Sequence, residues 1–386
     1  MKYKFKLLSA LFAVSLILFS CSQNNTSPVS TEDFSNSYIV VFNQSGNQIQ
    51  SNNSDARIIE LFAKHNIQMS ELKFTYYNVL NGFAANLTKD QVKSLEKDKS
   101  INYVEKDQVI TLGDEVDIYK RVVTPPTPPS GTNWGVSYVG GPLANTDAGV
   151  AWIVDTGIDY THEGLNVNTS LSATFVTRTK SANDDNGHGT HCAGIVGYEN
   201  TSDNIIGVCP GVTVIAVKVL NKLGSGTYSQ IIAGIDYVAG NLVTGKLNAV
   251  NMSFGGGISE SLDAAVYSLA SNSNVAVCIA AGNSTANANN YSPARVNGNR
   301  IYTISAHDSN GAFAYFSNFG NPPIDFSAPG VSIYSCYKNG GYATMSGTSM
   351  ATPHCVGILL ATGGTINYVG FVTADKDSTP DKKAHL

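Results

Sequence analysis

Gly347-Thr348-Ser349-Met350-Ala351-Thr352-Pro353-His354 opens the apolar run Cys355-Val356-Gly357-Ile358-Leu359-Leu360-Ala361-Thr362, which stops at Gly363-Gly364. Small residues lead into a serine, a proline lies in the following turn, and a helix-length apolar segment comes next. This pattern presents a hydroxyl at a helix N-terminus, where unpaired backbone N–H groups favour developing negative charge. A serine in such a place can also be no more than an N-cap. The choice between the two rests on what precedes it. From Trp134 onward, strand-like runs at 150–154, 212–219, 249–252, 275–280 and 301–304 alternate with helical segments at 188–197, 228–237, 259–271 and 349–362. Unbroken Val/Ile/Ala runs between helices predict an α/β domain over 132–386, with a mostly parallel sheet covered on both faces.

A second, smaller domain is expected before it. Tyr38-Ile39-Val40-Val41-Phe42 reads as a strand, and Ser54-Asp55 as the start of a helix carrying Ile58, Ile59, Leu61 and Phe62. Segments 72–77 and 83–87 alternate around Asn81-Gly82, a hairpin signal. Thr88-x-x-Gln91 has the form of a capping box, and 101–110 reads as one final strand. The order βαββαβ is that of a ferredoxin-like α+β unit, here over 38–111. Residues 112–131 are polar and proline-rich, with Pro125-Pro126-Thr127-Pro128-Pro129, and read as an extended, cleavable linker.

The first 20 residues have the form of an export signal: Lys2, Lys4 and Lys6 precede a short apolar run from Leu7 to Phe19. Leu18-Phe19-Ser20-Cys21 resembles a bacterial lipoprotein box, which makes Cys21 a lipidation candidate and 21–37 a tether. Anchoring through this lipid would be the chain's one membrane association. The chain has 386 residues, 42% of them apolar and 14% charged, 36 glycines and a net charge of −5. A packed globular protein is implied, and nucleic acid is not an expected partner because no basic stripe is present. Besides Cys21 there are Cys192, Cys209, Cys278, Cys336 and Cys355. An odd number in an exported chain leaves at least one free thiol or an intermolecular bridge; the spacing fits no zinc pattern and assigns no pairing.

Three motifs fall at strand ends or helix starts of the large domain, where open α/β sheets carry their sites. Ala151-Trp152-Ile153-Val154-Asp155 is a buried strand running into an acid. Asn186-Gly187-His188-Gly189-Thr190-His191 sets glycines around a histidine that opens a helix. Ser349 completes the set. An acid, an imidazole and a hydroxyl are the parts of an acyl-transfer triad, in which the base takes the serine proton and the acid fixes its tautomer. A fourth motif, Ala280-Ala281-Gly282-Asn283, ends another strand with a carboxamide suited to an oxyanion. Taken singly, Asp155 could be a helix cap, His188 a surface turn residue and Asn283 a turn former. Four together in this order point to one site.

The chain resembles the subtilisin-like serine proteases, with spacings of 33 residues from Asp155 to His188 and 66 from Asn283 to Ser349. Residues 38–111 resemble the inhibitory propeptide of that family through Tyr38-Ile39-Val40-Val41-Phe42, Asn81-Gly82-Phe83-Ala84-Ala85 and Val104-Glu105-Lys106-Asp107. The segment from Asn283 to Tyr291-Ser292-Pro293-Ala294, with Cys192, is most similar to the proteinase K branch. The resemblance implies a three-layer α/β/α fold and an exported, monomeric endopeptidase acting on proteins or peptides, held by its own propeptide until processed. It implies Asp155, His188 and Ser349 as the triad, and Asn283 with the Ser349 N–H as the oxyanion hole. Gly224, Ser225 and Gly226, with Ser253, Phe254 and Gly255, are implied as the two segments that take substrate as an added strand.

No cofactor is required by this reading, although structural calcium is allowed. Gly164 stands where many members have a calcium-binding Asp, while Asp325 and the loop 199–204 are candidate cation positions. Only 37 residues follow Ser349, so the last helices of the family are curtailed. Two rival readings exist. One is a metal hydrolase on His188-x-x-His191 with His162 or His354; it leaves Asp155, Asn283 and Ser349 without roles. The other is a decayed protease kept for binding, which the intact set of three residues argues against. An apolar or broad preference is expected at the residue before the cut, because no Asp or Glu lies between Asn283 and His307.

Overall fold

In the computed structural model, which describes residues 34–43, 51–112, 134–200 and 205–386, the small N-terminal sheet is made of β1 (Ser37–Phe42), β2 (Leu72–Tyr76), β3 (Gly82–Asn86) and β4 (Ile101–Lys106). Its strand order is β2-β3-β1-β4, all antiparallel, and helices α1 (Ser51–Lys64) and α2 (Lys89–Leu95) complete the expected βαββαβ order. Ile58, Phe62 and Leu95 from the helices pack on Val40, Phe42 and Phe83 from the sheet. The rings of Phe62 and Phe83 meet edge to face at 5.2 Å. Both halves of the Thr88–Gln91 capping box form.

Three expectations here need correction. Helix α1 begins at Ser51, ahead of Ser54-Asp55. Asn81-Gly82 is not the hairpin turn: Tyr76 pairs with Gly82, so residues 77–81 make the connection. The glycine is needed for a different reason, since a Cβ at position 82 would lie 2.3 Å from Val40 O across the sheet. The run 101–110 is also not one strand. It breaks after Lys106, and β5 (Val109–Thr111) pairs outside the small sheet altogether.

The large domain follows with α3 (Trp134–Tyr138), β6 (Gly149–Asp155), β7 (Ala173–Thr174), α4 (His188–Gly197), β8 (Glu199–Asn200), β9 (Ile205–Ile206), β10 (Thr213–Lys218) and β11 (Ser225–Thr227). Next come α5 (Tyr228–Gly240), β12 (Leu247–Met252), α6 (Glu260–Ala270), β13 (Val275–Ala280), β14 (Ile301–His307), β15 (Ile324–Pro329), β16 (Ile333–Tyr337), β17 (Gly341–Met345), α7 (Thr348–Thr362), β18 (Asn367–Phe371) and β19 (Lys382–His385). Nine strands form one sheet in the order β18-β19-β15-β14-β13-β12-β6-β10-β7. Apart from the antiparallel β18–β19 pair, all its pairings are parallel.

Every residue of β6 is buried, as a central parallel strand requires. Its side chains divide between two cores. Ala151 and Ile153 join Val196 and Leu359 on the side of α4 and α7, while Trp152 and Val154 join Ile231 and Leu262 on the side of α5 and α6. That makes three layers, as expected for this fold. Helix α7 is buried along almost its whole length, which explains why its apolar residues show no one-sided stripe. The second core also takes in Ile39, Val41, Tyr76, Val79, Ala84 and Ile110, so the open face of the small sheet is covered by α5 and α6. Among the described residues no helix is long and apolar enough to cross a membrane. The segments 1–20 and 21–33, with Cys21, and most of the linker lie outside the described residues.

Candidate active site

Strand order reverses around β6, whose neighbours β10 and β12 lead to opposite edges of the sheet, and its carboxyl end is therefore the crevice where such sheets carry ligands. Asp155 occupies that end and is wholly buried. Its Oδ1 accepts from the Thr156 N–H at 2.6 Å. His188 Nδ1 lies 2.7 Å from Oδ1 and 2.9 Å from Oδ2, so the proton on Nδ1 faces the carboxylate and Nε2 is the basic nitrogen. His188 begins α4 because Asp184 winds the preceding loop. The Asp184 carboxylate accepts from the N–H groups of Asn186, Gly187 and Thr190, and from the Thr190 hydroxyl. Two of the flanking glycines are structurally required. Gly187 has φ 117°, and a Cβ on Gly189 would meet Gly157 O at 2.2 Å.

Ser349 is not a cap. Gly347 is the N-cap of α7, and Ser349 stands at the second helical position with its own N–H unpaired within the helix. Its Oγ donates to Ser253 O at 3.2 Å, and Ser253 Oγ returns a bond to Ser349 O at 2.9 Å. Cys192, one turn after His188, also reaches Ser349 O, with Sγ at 3.5 Å. Asn283 is oriented by Thr348, whose N–H and hydroxyl both donate to its Oδ1 at 2.9 Å. This assigns the amide group and leaves Nδ2 as the outward donor. A Cβ built on Gly347 would lie 3.2 Å from Asn283 Nδ2 and 3.7 Å from Ser349 N. The missing side chain thus keeps open a space bordered by two N–H donors, the geometry an oxyanion needs.

Gly224, Ser225 and Gly226 do receive a strand, and it is the chain's own. β5 pairs antiparallel with β11 through Ser225↔Thr111, Gly226↔Ile110 and Thr227↔Val109. Leu112 N–H extends the ladder to Gly224 O at 2.9 Å. On the other side a Cβ on Gly256 would meet both Ile110 Cγ2 and Tyr228 Oη at 2.6 Å. Ser253 adjoins Ser349, whereas the Phe254 side chain belongs to the core, so only its backbone is available to a ligand. A Cβ on Gly255 would be in ordinary contact with Ser292 O, at 3.6 Å.

Three carboxylates hold the small module across this cleft: Glu105 and Asp107, from the Val104-Glu105-Lys106-Asp107 motif, and Asp236, which no motif signals. Asp107 accepts from the N–H and hydroxyl of Ser229 in the first turn of α5, at 3.1 and 2.6 Å. Glu105 does the same for Ser261 in the first turn of α6, at 2.8 and 2.6 Å. In the opposite direction, Asp236 accepts the N–H groups of Tyr77, Asn78 and Val79 at 2.7–3.0 Å. Helix N-termini favour the first two. Burial raises the pKa of Asp236, and those three N–H bonds oppose the rise. The contact explains why 77–81 is a five-residue connection: it must reach α5.

The remaining titratable candidates are bonded within the large domain. Asp325 accepts from Thr303 N–H at 2.9 Å, and burial pushes its pKa to about 6. Among the described residues it belongs to no group of three acid, His or Cys ligands. Position 164 is glycine because a Cβ there would strike the Tyr198 ring at 2.4 Å. His191 Nε2 bonds Ile333 O and Ala343 O, His162 Nε2 bonds Gly341 O, and His354 Nδ1 bonds Met350 O. These histidines share no common point with His188, and the metal-hydrolase reading finds no ligand set in them. Asp155, His188 and Cys192 do approach one another within 4.8 Å, but the acid and imidazole are already bonded to each other. All five described cysteines are buried thiols, and none of them forms a disulfide. The loop 199–204 lies largely outside the described residues.

Comparison with known proteins gives a consistent pattern. Residues 150–362 match the model described as the subtilase family, and residues 37–113 match that of peptidase inhibitor I9. The chain is 38% identical to alkaline serine exoprotease A of Vibrio alginolyticus over 83% of its own length and 59% of that protein's, so it spans less than two thirds of this relative. It is 32% identical to the M-protease of Shouchella clausii, over 92% of this chain and 88% of that one. The extracellular serine proteinase of a Thermus strain is 40% identical over 73% and 66% of the two chains. Among solved structures, a cold-adapted subtilisin-like serine proteinase aligns with TM-score 0.56 and 36% identity, covering 65% of this chain and 97% of that one.

Proposed function

We propose that this chain, which belongs to the subtilase family of serine endopeptidases and carries a peptidase inhibitor I9 propeptide, hydrolyses peptide bonds through Asp155, His188 and Ser349. The observation that carries the reading is the wholly buried Asp155 carboxylate facing His188 Nδ1 at 2.7 and 2.9 Å. An imidazole so held presents a basic Nε2, and Asp155 stabilises the imidazolium when it forms. Ser349 Oγ attacks the scissile carbonyl and its proton passes to His188 Nε2. The carbonyl oxygen becomes an oxyanion received by Asn283 Nδ2 and the Ser349 N–H. Collapse expels the amine, which takes the proton from His188 and leaves an acyl-enzyme. Water, deprotonated by the same nitrogen, then releases the acid and restores the serine.

The docked strand β5 supports self-processing. The propeptide's last described residues already lie as a substrate strand on Gly224–Gly226, with Leu112 N–H bonded to Gly224 O, so the first cut falls just beyond Leu112. The module then remains held by Glu105, Asp107 and Asp236 until it is degraded. An apolar or broad preference before the cut follows from the uncharged stretch after Asn283 and from Leu112 and Ile110 in the docked strand. Export follows from the signal-like segment 1–20, and the named Thermus relative is extracellular. Processing would free the catalytic part from any lipid on Cys21.

The test is expression of wild type and Ser349→Ala in a host lacking other exported proteases, with intact-mass analysis. Wild type is expected as two fragments divided shortly after Leu112, and Ser349→Ala as one uncut chain. Two fragments from Ser349→Ala would refute self-processing. Inhibition by phenylmethylsulfonyl fluoride but not by a zinc chelator separates the serine mechanism from the metal-dependent one.

A further inference from the structure

Lys218 is fully buried at the end of β10, directly beside Asp155 in the parallel register. Lysines avoid such places unless every donor is met. Here an ammonium has three N–H groups and finds three oxygens: Thr156 O, Asp185 Oδ1 at 2.6 Å and Leu220 O at 2.9 Å. Each acceptor sits on a different functional segment. Thr156 follows Asp155, and its hydroxyl accepts from Gly189 N–H at 2.9 Å, next to His188. Asp185 lies in the loop that Asp184 winds ahead of His188. Leu220 begins the connection to the substrate strand, and both Val219 N–H and Leu220 N–H donate to Asp155 O.

We propose that Lys218 is a positioning residue: its ammonium ties the end of the Asp155 strand, the loop before His188 and the root of the Gly224–Gly226 strand into one rigid arrangement. The proposal rests on the triad reading above and goes beyond it by naming what sets the triad's geometry. An apolar side chain of similar length fills the same volume but leaves Thr156 O, Leu220 O and the Asp185 carboxylate without their donor, so some stability is lost as well. What it cannot replace is the simultaneous hold on three segments. Small errors of placement at reacting groups are expensive, with a 1 Å displacement worth up to about 10²-fold in rate. The loss should therefore appear in turnover, while substrate affinity, set by the β11 ladder, changes little.

Lys218→Met and Lys218→Arg are made in the full chain and compared with wild type for rate of fluorophosphonate labelling, kcat and KM. Lys218→Met is expected to fall about 10- to 100-fold in labelling rate and kcat, with KM within about 2-fold. Lys218→Arg, which still donates to carbonyl and carboxylate oxygens, is expected to recover most of the loss. Wild-type labelling and kcat in Lys218→Met, or a loss confined to KM, overturns the proposal. If Lys218→Met does not fold, Asp185→Ala decides, since it removes the acceptor that an Asn amide oxygen would keep, and the Asp185 side chain is 47% exposed. A lower kcat at constant KM supports the tie, and an unchanged kcat overturns it. Failure of wild type itself to label would instead refute the triad reading.

Discussion

Two sets of buried or half-buried carboxylates organise this molecule, one inside the catalytic domain and one along its seam with the propeptide. Asp155 draws its partners, His188 and the Thr156 N–H, from elements of the same sheet and its covering helix. Asp107 and Glu105 instead take theirs from the first turns of α5 and α6 across the seam, and Asp236 takes N–H groups from the propeptide loop. The first set is complete whether or not the propeptide is present. The second exists only in the docked state, and on release its donors and acceptors return to water. On the function proposed above, catalysis draws on bonds within one domain and inhibition on bonds of similar length that cross the seam. The difference lies in which side of the seam holds the partner, not in the strength of any one bond.

Breaking the inner set should have the larger effect. Asp155→Asn is expected to lower kcat by about 10⁴-fold, and Ser349→Ala by about 10⁶-fold, as for the equivalent serine of subtilisin, with the fold intact, measured on peptide substrates with apolar residues before the cut and by thermal unfolding. Asn283→Ala leaves the triad whole but removes one oxyanion donor. Loss of the equivalent donor in subtilisin, a member of the same family, lowers kcat by about 10²–10³-fold, and a similar fall is expected here with KM nearly constant. An unchanged kcat would remove Asn283 from the site.

Breaking the outer set should leave the mature enzyme's kcat untouched. Propeptide 34–112 carrying Asp107→Ala, added to processed enzyme, is expected to inhibit about 10- to 100-fold more weakly, because the Ser229 N–H and hydroxyl lose their acceptor. Equal inhibition by both propeptides would deny the seam carboxylate its role.

The two sets also differ in how readable they are from sequence. Asp155, His188, Asn283 and Ser349 stand at the ends of strongly patterned elements, where local sequence decides the conformation. The helices at 188–197 and 349–362 accordingly appear almost where periodicity places them. Of the seam residues, Glu105 and Asp107 lie in a motif of the small domain that does not name their partners, and Asp236 carries no signal at all. Asp236 lies in the second half of an ordinary buried helix, and its partners are more than 150 positions away in the chain. Asn81-Gly82 misleads for a related reason: the glycine answers a close backbone approach inside a sheet, not a turn. The break after Lys106 is equally hidden, since β-branched residues resume at Val109 directly after Asp107-Gln108, while the pairing partner changes. Strands β15 to β19 escape because their runs are short or polar, and their pairing is decided by sheet context.

The smallest expected effect concerns pH. Burial holds His191 and His354 near a pKa of about 3, well below their ordinary range. Between that value and about 6.5 the unfolded chain binds more protons than the folded one, so stability rises with pH and is lost as pH falls through this window. In the inactive Ser349→Ala chain, which cannot digest itself, His191→Gln should reduce the stability difference between pH 7.5 and 4.5 by about 1–2 kcal/mol. Denaturant titration at the two values checks it, and an undiminished difference would exclude His191 as a contributor.

In the proposed mechanism, Ser349 is the nucleophile activated by the His188–Asp155 pair. Labelling of the processed chain with a fluorophosphonate, followed by peptide mapping, tests it most directly. A single adduct on Ser349 is expected, absent from Ser349→Ala and formed at least about 10³-fold more slowly in His188→Ala. An active, folded chain that labels elsewhere, or labels at Ser349 equally fast without His188, would contradict it.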